Sequence, residues 1–202
     1  MSLKLTKNEL RGQQIRLSQF QKYLPTLQLK KSMLQFEVAS VQSEIAALFD
    51  EMALVKKRVE SFASLLLDKV RVDLVACADV LHVKKRYENI AGVEIPLFDG
   101  IMFRDAEYAL FDTPAYTDQA VEILRELVAL REKISIAQEK KRALEKELRS
   151  VSIRVNLFEK VLIPRSKVNI KKIRIFLGDQ QLSAIAQAKV AKKKIEMKKA
   201  LL

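Results

Sequence analysis

A catalytic or metal centre needs nucleophiles, bases or ligands brought together, and this sequence holds few of them. It has one His and one Cys. Protein metal centres draw on clustered His, Cys or carboxylates, so Cys77 and His82 read as a packing or surface pair on a helical stretch, not as ligands or a nucleophile–base dyad. One Cys precludes an internal disulfide and suits a reducing compartment. Gly92 and Gly100 lie apart with no Lys-Ser/Thr after them, so no glycine loop is built to cradle phosphate. The acids around them stand singly between aromatics, the pattern of a solvated or partner-facing surface and not of paired acid/base carboxylates. Chemistry by this chain alone is not expected, and no cofactor is called for.

What the sequence does carry is charge. The 202 residues hold 37 Lys and Arg against 25 Asp and Glu, a net charge of +12. That balance fits nucleic acid, an anionic membrane surface or an acidic protein partner. Aromatic and basic residues are segregated, unlike the interleaving that single-stranded nucleic acid requires. The N-terminal ten residues contain no apolar run of the secretory type. The most apolar longer stretch, residues 70–83, carries Arg71, Asp73, Asp79 and His82, which are costly in hydrocarbon. A soluble protein without a transmembrane segment is expected.

Only 4 Gly and 4 Pro punctuate the chain, so the elements that position these charges are long helices with few turns. Phe20, Leu24, Leu27, Lys31, Leu34, Val38, Val41, Ile45, Leu48, Met52, Val55, Val59, Phe62 and Leu66 alternate steps of four and three. A sustained 3.5-residue repeat marks a coiled-coil seam, because left-handed supercoiling keeps one stripe against a partner. Ile123, Leu127, Leu130, Ile134, Ala137, Lys141, Leu144, Leu148, Val151, Val155, Phe158 and Leu162 repeat the pattern. The expected fold is all-α: a long antiparallel two-helix coiled-coil hairpin with a small irregular or β-hairpin insert in the middle. At ~1.5 Å per residue, arms of ~70 residues make a rod on the order of 100 Å. Lys31 and Lys141 interrupt the seams; each buries its stem and sends its ammonium outward, or fixes register.

The division expected is an N-terminal arm over residues 1–86, an acidic aromatic-rich insert over 87–119, and a C-terminal arm over 120–202. From Glu88 to Glu126 nine acids face only Arg104 and Arg125. Residues 93–98 read as a strand, Asp99-Gly100 as its turn and residues 101–103 as the return, with Pro96 confining the strand to a sheet edge. The insert caps the rod. Pro164 should kink or break the C-terminal helix, and Gly178 should weaken it. Beyond Pro164 eleven basic residues stand against Asp179 and Glu196.

The run Lys4-Leu5-Thr6-Lys7-Asn8-Glu9-Leu10 opening a long helix, and above all the block Asn156…Ile163-Pro164-Arg165, resemble the D-subunit family of the V/A-type (vacuolar and archaeal-type) rotary ATPases. Lys30-Lys31 with Leu34, and Ala188-Lys189 with Lys192-Lys193-Lys194, fit the same pattern. Ser32, where an acid is common, and Leu5, where a Pro is common, are departures. The resemblance implies a non-catalytic central-stalk rotor that transmits torque between ATP turnover and proton or sodium translocation. It implies as partners the A and B subunits of the catalytic head, the F subunit of the stalk and the adaptor on the membrane ring, with no direct nucleic acid. It places the chain in the cytoplasm, peripheral on the membrane's cytoplasmic face. The head bearing would fall on Lys4, Lys7, Arg11, Lys189, Lys192, Lys193, Lys194, Lys198 and Lys199. The surface for the F subunit and the base would fall on Phe98, Phe103, Tyr108 and Phe111.

Two rivals share the hairpin logic. The γ subunit of F-type ATP synthases carries a larger α/β insertion than the stretch here can hold. A structural coiled-coil adaptor or prefoldin-like chaperone has no use for the Asn156…Pro164 block. A nucleic-acid-associated coiled coil, the reading that +12 alone suggests, predicts affinity falling steeply with salt.

Overall fold

The computed structural model describes residues 3–62, 74–105, 114 and 116–200. In chain order these form α1 (Lys7–Phe62), α2 (Leu74–Cys77), β1 (Val80–Ile90), β2 (Val93–Phe103), α3 (Thr117–Leu157), a π-helical turn (Phe158–Leu162) and α4 (Ile163–Ala200). Long helices with one β-hairpin between them are the expected architecture. The chain divides into two compact units, Lys30–Ser150 and Met1–Leu29 with Val151–Leu202.

In the unit Lys30–Ser150, α1 and α3 pack along the heptad seams. Every α1 seam position from Lys31 to Val59 is buried or half-buried, with Leu34, Val41 and Val55 at 0–1% exposure. On α3 the seam residues Leu130, Ile134, Ala137 and Leu144 are buried. Each such aliphatic side chain contributes about 1.5–3 kcal/mol by leaving water. The pairing is antiparallel: Lys30 meets Glu147 at 2.9 Å, Glu44 meets Lys140 at 3.1 Å and Arg58 meets Glu126 at 3.0 Å. These partly exposed pairs are worth only about 0.2–1 kcal/mol each, so they trim the register that the seam sets. Lys31 and Lys141 are half-buried, and the Lys141 Nζ reaches outward to Glu145 at 3.7 Å. Lys141 therefore buries its stem and exposes its head. Seam position Leu66 lies outside the described residues.

In the other unit, the start of α1 packs against the end of α3 and α4. Thr6 caps α1, its Oγ1 accepting the Glu9 N–H at 3.3 Å, the first half of a capping box. Phe20 and Phe158 meet edge to face with centroids 5.2 Å apart. Pro164 does not break the helix. The turn before it widens instead: the Ile163 N–H bonds the Phe158 carbonyl five residues back. Pro164 has no N–H and its ring crowds the carbonyl four residues earlier, so a widened turn suits that position. The widening also absorbs one residue. The seam steps Val151, Val155, Phe158, Leu162 and then moves by fours to Ser166 and Ile170 before Ile173. Ser166, Ile170 and Ile173 are buried, while Arg165 is exposed. Without the extra residue taken up, Arg165 and Asn169 would fall on the seam. Helix α4 also runs through Gly178 without a break.

The hairpin differs from the expected one in three ways. Residues 80–86, read as the end of the first arm, belong to β1, and His82 stands on that strand opposite Met102. The turn is Ala91-Gly92, with φ of 52° and 80°, and the Asn89 Oδ1 accepts the Gly92 N–H at 2.9 Å. Two successive positive φ values make the mirror-image turn that matches strand twist. Asp99-Gly100, read as the turn, sits inside β2 at a bulge: Lys84 pairs with Gly100 and Lys85 with Phe98, leaving Asp99 extra. Glycine marks bulges as readily as turns, and an eleven-residue partner strand lies upstream. Both strands of a two-stranded ribbon are edges, so Pro96 is tolerated. Ala91 holds a left-handed conformation that costs a residue with a Cβ roughly 1–2 kcal/mol. Ala91→Gly is expected to stabilise the chain by about 1 kcal/mol, read as a higher thermal midpoint.

Candidate partner-binding surfaces

The hairpin does not cap the helices; it lies along α3. Its open end is clamped by Arg125, whose Nε donates to the Cys77 carbonyl at 3.0 Å and whose Nη2 donates to the Arg104 carbonyl at 2.9 Å. The same guanidinium sits 5.3 Å from the Phe103 ring centroid. Further along, Lys133 lies over Phe98 at 5.6 Å and Lys85 bonds Glu139 at 2.7 Å. The turn at Gly92 and Val93 faces Ala143, Lys146 and Ser150. Eleven residues of strand at ~3.3 Å each span about the same distance as some 24 residues of helix at ~1.5 Å, so strands and helix are commensurate. Cation–π contacts and bonds to charged donors are worth about 1–3 kcal/mol each. Arg125→Ala is expected to lower stability by about 2 kcal/mol and to speed amide exchange at residues 77–80 and 103–104.

The hydrogen bond to Glu139 raises the Lys85 pKa above its ordinary 10.5. A raised lysine pKa adds stability that is fully present below the unfolded value and fades as pH climbs through the folded one. Hairpin docking should therefore hold steady through neutral pH and loosen only above about pH 10.5, a loosening that Glu139→Gln abolishes; exchange at β1 against pH reads it.

Of the four aromatics expected to meet partners, Phe98 and Phe103 are half-buried against α3 and serve as the hairpin's own anchors. Tyr108 and Phe111 lie outside the described residues. The hairpin's outward apolar side chains are instead Leu81, Tyr87 and Met102, at 62%, 58% and 49% exposure. The sequence hides them because a basic, exposed strand such as β1 reads as helix, and Leu81 owes its position to a second bulge between Val80 and His82.

The basic residues expected at the head bearing fall at two places. Lys4 precedes α1, and Lys7 and Arg11 occupy its first turns. Lys189, Lys192, Lys193 and Lys194 stand on a part of α4 where every residue from 179 to 197 is exposed, and Lys198 and Lys199 follow near its end. Ile173 is the last buried residue among those described, so α4 runs on uncovered for about 30 Å at ~1.5 Å per residue. The seam continues into this overhang as Ala184, Ala188, Ala191 and Ile195, at steps of four, three and four. Lys192 has a neighbour in Glu196 at 3.9 Å. Asn156, Ile163, Pro164 and Arg165 bracket the π-helical turn, which gives that block a structural reason. Among the described residues no group of His, Cys, Asp and Glu could hold a metal ion, and no helix is long and apolar enough to cross a membrane.

The family described as the ATP synthase D subunit matches residues 9–193. The V-type ATP synthase D subunit of Chlamydia felis is 43% identical over 198 residues, covering 98% of this chain and 95% of that protein. The V-type ATP synthase D subunit of Borreliella burgdorferi is 40% identical over 190 residues, covering 94% and 93%. Identity of this extent along the helices, the hairpin and the overhang sets the adaptor and F-type γ readings aside. The chain belongs to the D-subunit family of the V-type ATP synthases.

Proposed function

We propose that the chain is the central shaft of a V-type rotary ATPase or ATP synthase. It passes torque between ATP turnover in a head of A and B subunits and proton or sodium translocation in a membrane ring. It supplies no catalytic group of its own. The observation that carries this reading is the α4 overhang. A helix that extends its seam as small Ala residues, flanked by lysines and covered by nothing among the described residues of its own chain, is made to be enclosed by other polypeptides. Small residues permit close approach, and diffuse positive charge attracts acidic or carbonyl-lined walls without fixing one partner. A sheath of that kind permits turning.

The head would enclose Lys189–Lys199 together with Lys4, Lys7 and Arg11. The hairpin, through Leu81, Tyr87 and Met102, with Tyr108 and Phe111, would serve the F subunit and the ring adaptor. The complex would sit on the cytoplasmic face of its membrane. Co-expression with matching A, B and F subunits, followed by size exclusion and mass spectrometry, is expected to give one copy per head. Removal of residues 189–202 should abolish that incorporation. A chain that stays out of the head would overturn the reading.

A further inference from the structure

Within the unit formed by Met1–Leu29 and Val151–Leu202, a cavity of about 640 Å³ lies beside the seam, between the start of α1 and the part of α4 that follows the π-helical turn. Pockets that hold small molecules are of this size, roughly 300–1,000 Å³. Two of its lining residues are polar groups at seam positions. Stepping back from Phe20 by three and four, the α1 seam reaches Leu17 and then Gln13, which is 7% exposed; Ser166 on the α4 seam is 6% exposed. Polar side chains add nothing to an apolar seam and are costly to bury unless they find partners. Gln13 finds one, its Nε2 donating to the Glu9 Oε1 at 2.9 Å.

The π-helical turn brings the α4 side of the cavity into place. By taking up one residue it sets Ser166 on the seam and Arg165 and Asn169 beside it, where both line the cavity. Widened turns of this kind recur at functional sites. Lys4 and Arg16 join Arg165 at the cavity, and Glu9 is the one acid among the described residues that line it. Among the described residues none of these three cations takes part in an ion pair. Phe20, Leu162 and Leu3 supply its apolar lining. A wall of another polypeptide could meet the cations from outside, but Gln13 and Ser166 are buried too deeply for it to reach. A ligand small enough to enter the cavity reaches both.

We infer that this cavity binds a nucleoside phosphate. Arg16 and Arg165 hold the phosphoryl group, because a forked guanidinium matches phosphate oxygens two at a time, and Lys4 adds a third charge. The base lies against Phe20 and Leu162, a flat apolar group on an aromatic one. Gln13, Ser166 and Asn169 offer donors and acceptors to the sugar and the base edge. The inference concerns the chain by itself. It goes beyond torque transmission and stands whether or not residues 189–202 enter the head.

The test is isothermal titration calorimetry of the full-length chain at about 0.15 M salt, with ADP, adenosine and inorganic phosphate as probes. The expected result is one ADP bound per chain, with adenosine and phosphate each at least about tenfold weaker, since each keeps only part of the contacts. Arg16→Gln with Arg165→Gln should weaken ADP at least about tenfold. Both side chains are exposed, so helical circular dichroism should not change. Lys56→Gln with Lys57→Gln, which removes equal charge from an exposed part of α1, should change ADP affinity less than about twofold. An azido-ADP should attach on photolysis to peptides that contain Phe20 or Leu162. No ADP binding, phosphate bound as tightly as ADP, equal weakening by both pairs of substitutions, or label elsewhere on the chain would overturn the inference.

Discussion

Deleting Arg154 is expected to cost at least about 4 kcal/mol, whereas deleting Val161 together with Pro164→Ala is expected to cost less than about 1 kcal/mol. Both deleted residues are exposed, so lost contacts do not distinguish them. What differs is the geometry downstream. In a regular α-helix one residue turns the chain by ~100°, so removing Arg154 swings Ile170 and Ile173 off the seam and brings Lys171 and Arg174 towards it. Two buried Ile side chains at about 2 kcal/mol each, with a charge forced inward, account for the loss. Val161 stands in the turn that already holds one residue too many. Its removal lets Phe158–Leu162 close as ordinary α-helix and leaves Ile170 and Ile173 where they are. Pro164→Ala restores the N–H that such a turn then needs. Urea unfolding of the full-length variants, followed by helical circular dichroism, reads both; equal losses would show that the π-helical turn does not hold the register.

The seams are legible in the sequence because a heptad repeat is a global signal: from Lys31 to Val59 each residue it selects is buried or half-buried. Lys31 and Lys141 do not mislead, since both are half-buried and a long stem can be buried while its head reaches water, as that of Lys141 does towards Glu145. The π-helical turn shows in the sequence only as a Pro. Its real trace is the run of three four-residue steps from Phe158 through Leu162 and Ser166 to Ile170, a phase slip that begins where the regular alternation ends. The hairpin is half legible. Val93, Ile95 and Leu97 alternate as a strand should, but their partner, residues 80–90, is basic and largely exposed. Nothing in its composition separates it from a helix surface, so Asp99-Gly100 downstream presents itself as the turn.

The candidate surfaces are less legible still, for a physical reason. A residue that meets another protein answers to a shape absent from its own sequence. Phe98 and Phe103 carry the aromatic signature of interface anchors yet are held by Lys133 and Arg125. Phe36, at 72% more exposed than either, passes for an ordinary helix residue. The lysine-rich end is plain from composition, whereas its lack of cover requires the structure: only there does Ile173 stand as the last buried position among the described residues.

Reversing Lys189, Lys192, Lys193 and Lys194 to Glu is expected to leave the chain folded and to remove it from the head. The four side chains are exposed, and surface substitutions of this kind stay within about ±0.5 kcal/mol each. The Lys192–Glu196 pair is too solvated to matter, its side chains being 80% and 64% exposed. Helical circular dichroism and the unfolding midpoint should therefore hardly change. Entry into the head should change greatly, because steering by a concentrated charge raises association rates about 10–10³-fold and fades with ionic strength. At low salt the wild-type chain should enter a head of A and B subunits at least about tenfold faster than the Glu variant, with the Gln variant between them. Raising salt should narrow the gap, since the Debye length falls from ~30 Å at ~0.01 M to ~10 Å at ~0.1 M. Coupled ATPase activity of the reconstituted complex should fall with entry. If the bearing depends instead on the small stripe of Ala184, Ala188 and Ala191, the Glu variant would enter and couple as the wild type does, and Ala188→Leu would be the damaging change. The two outcomes separate attraction by charge from fit by shape on the same uncovered helix.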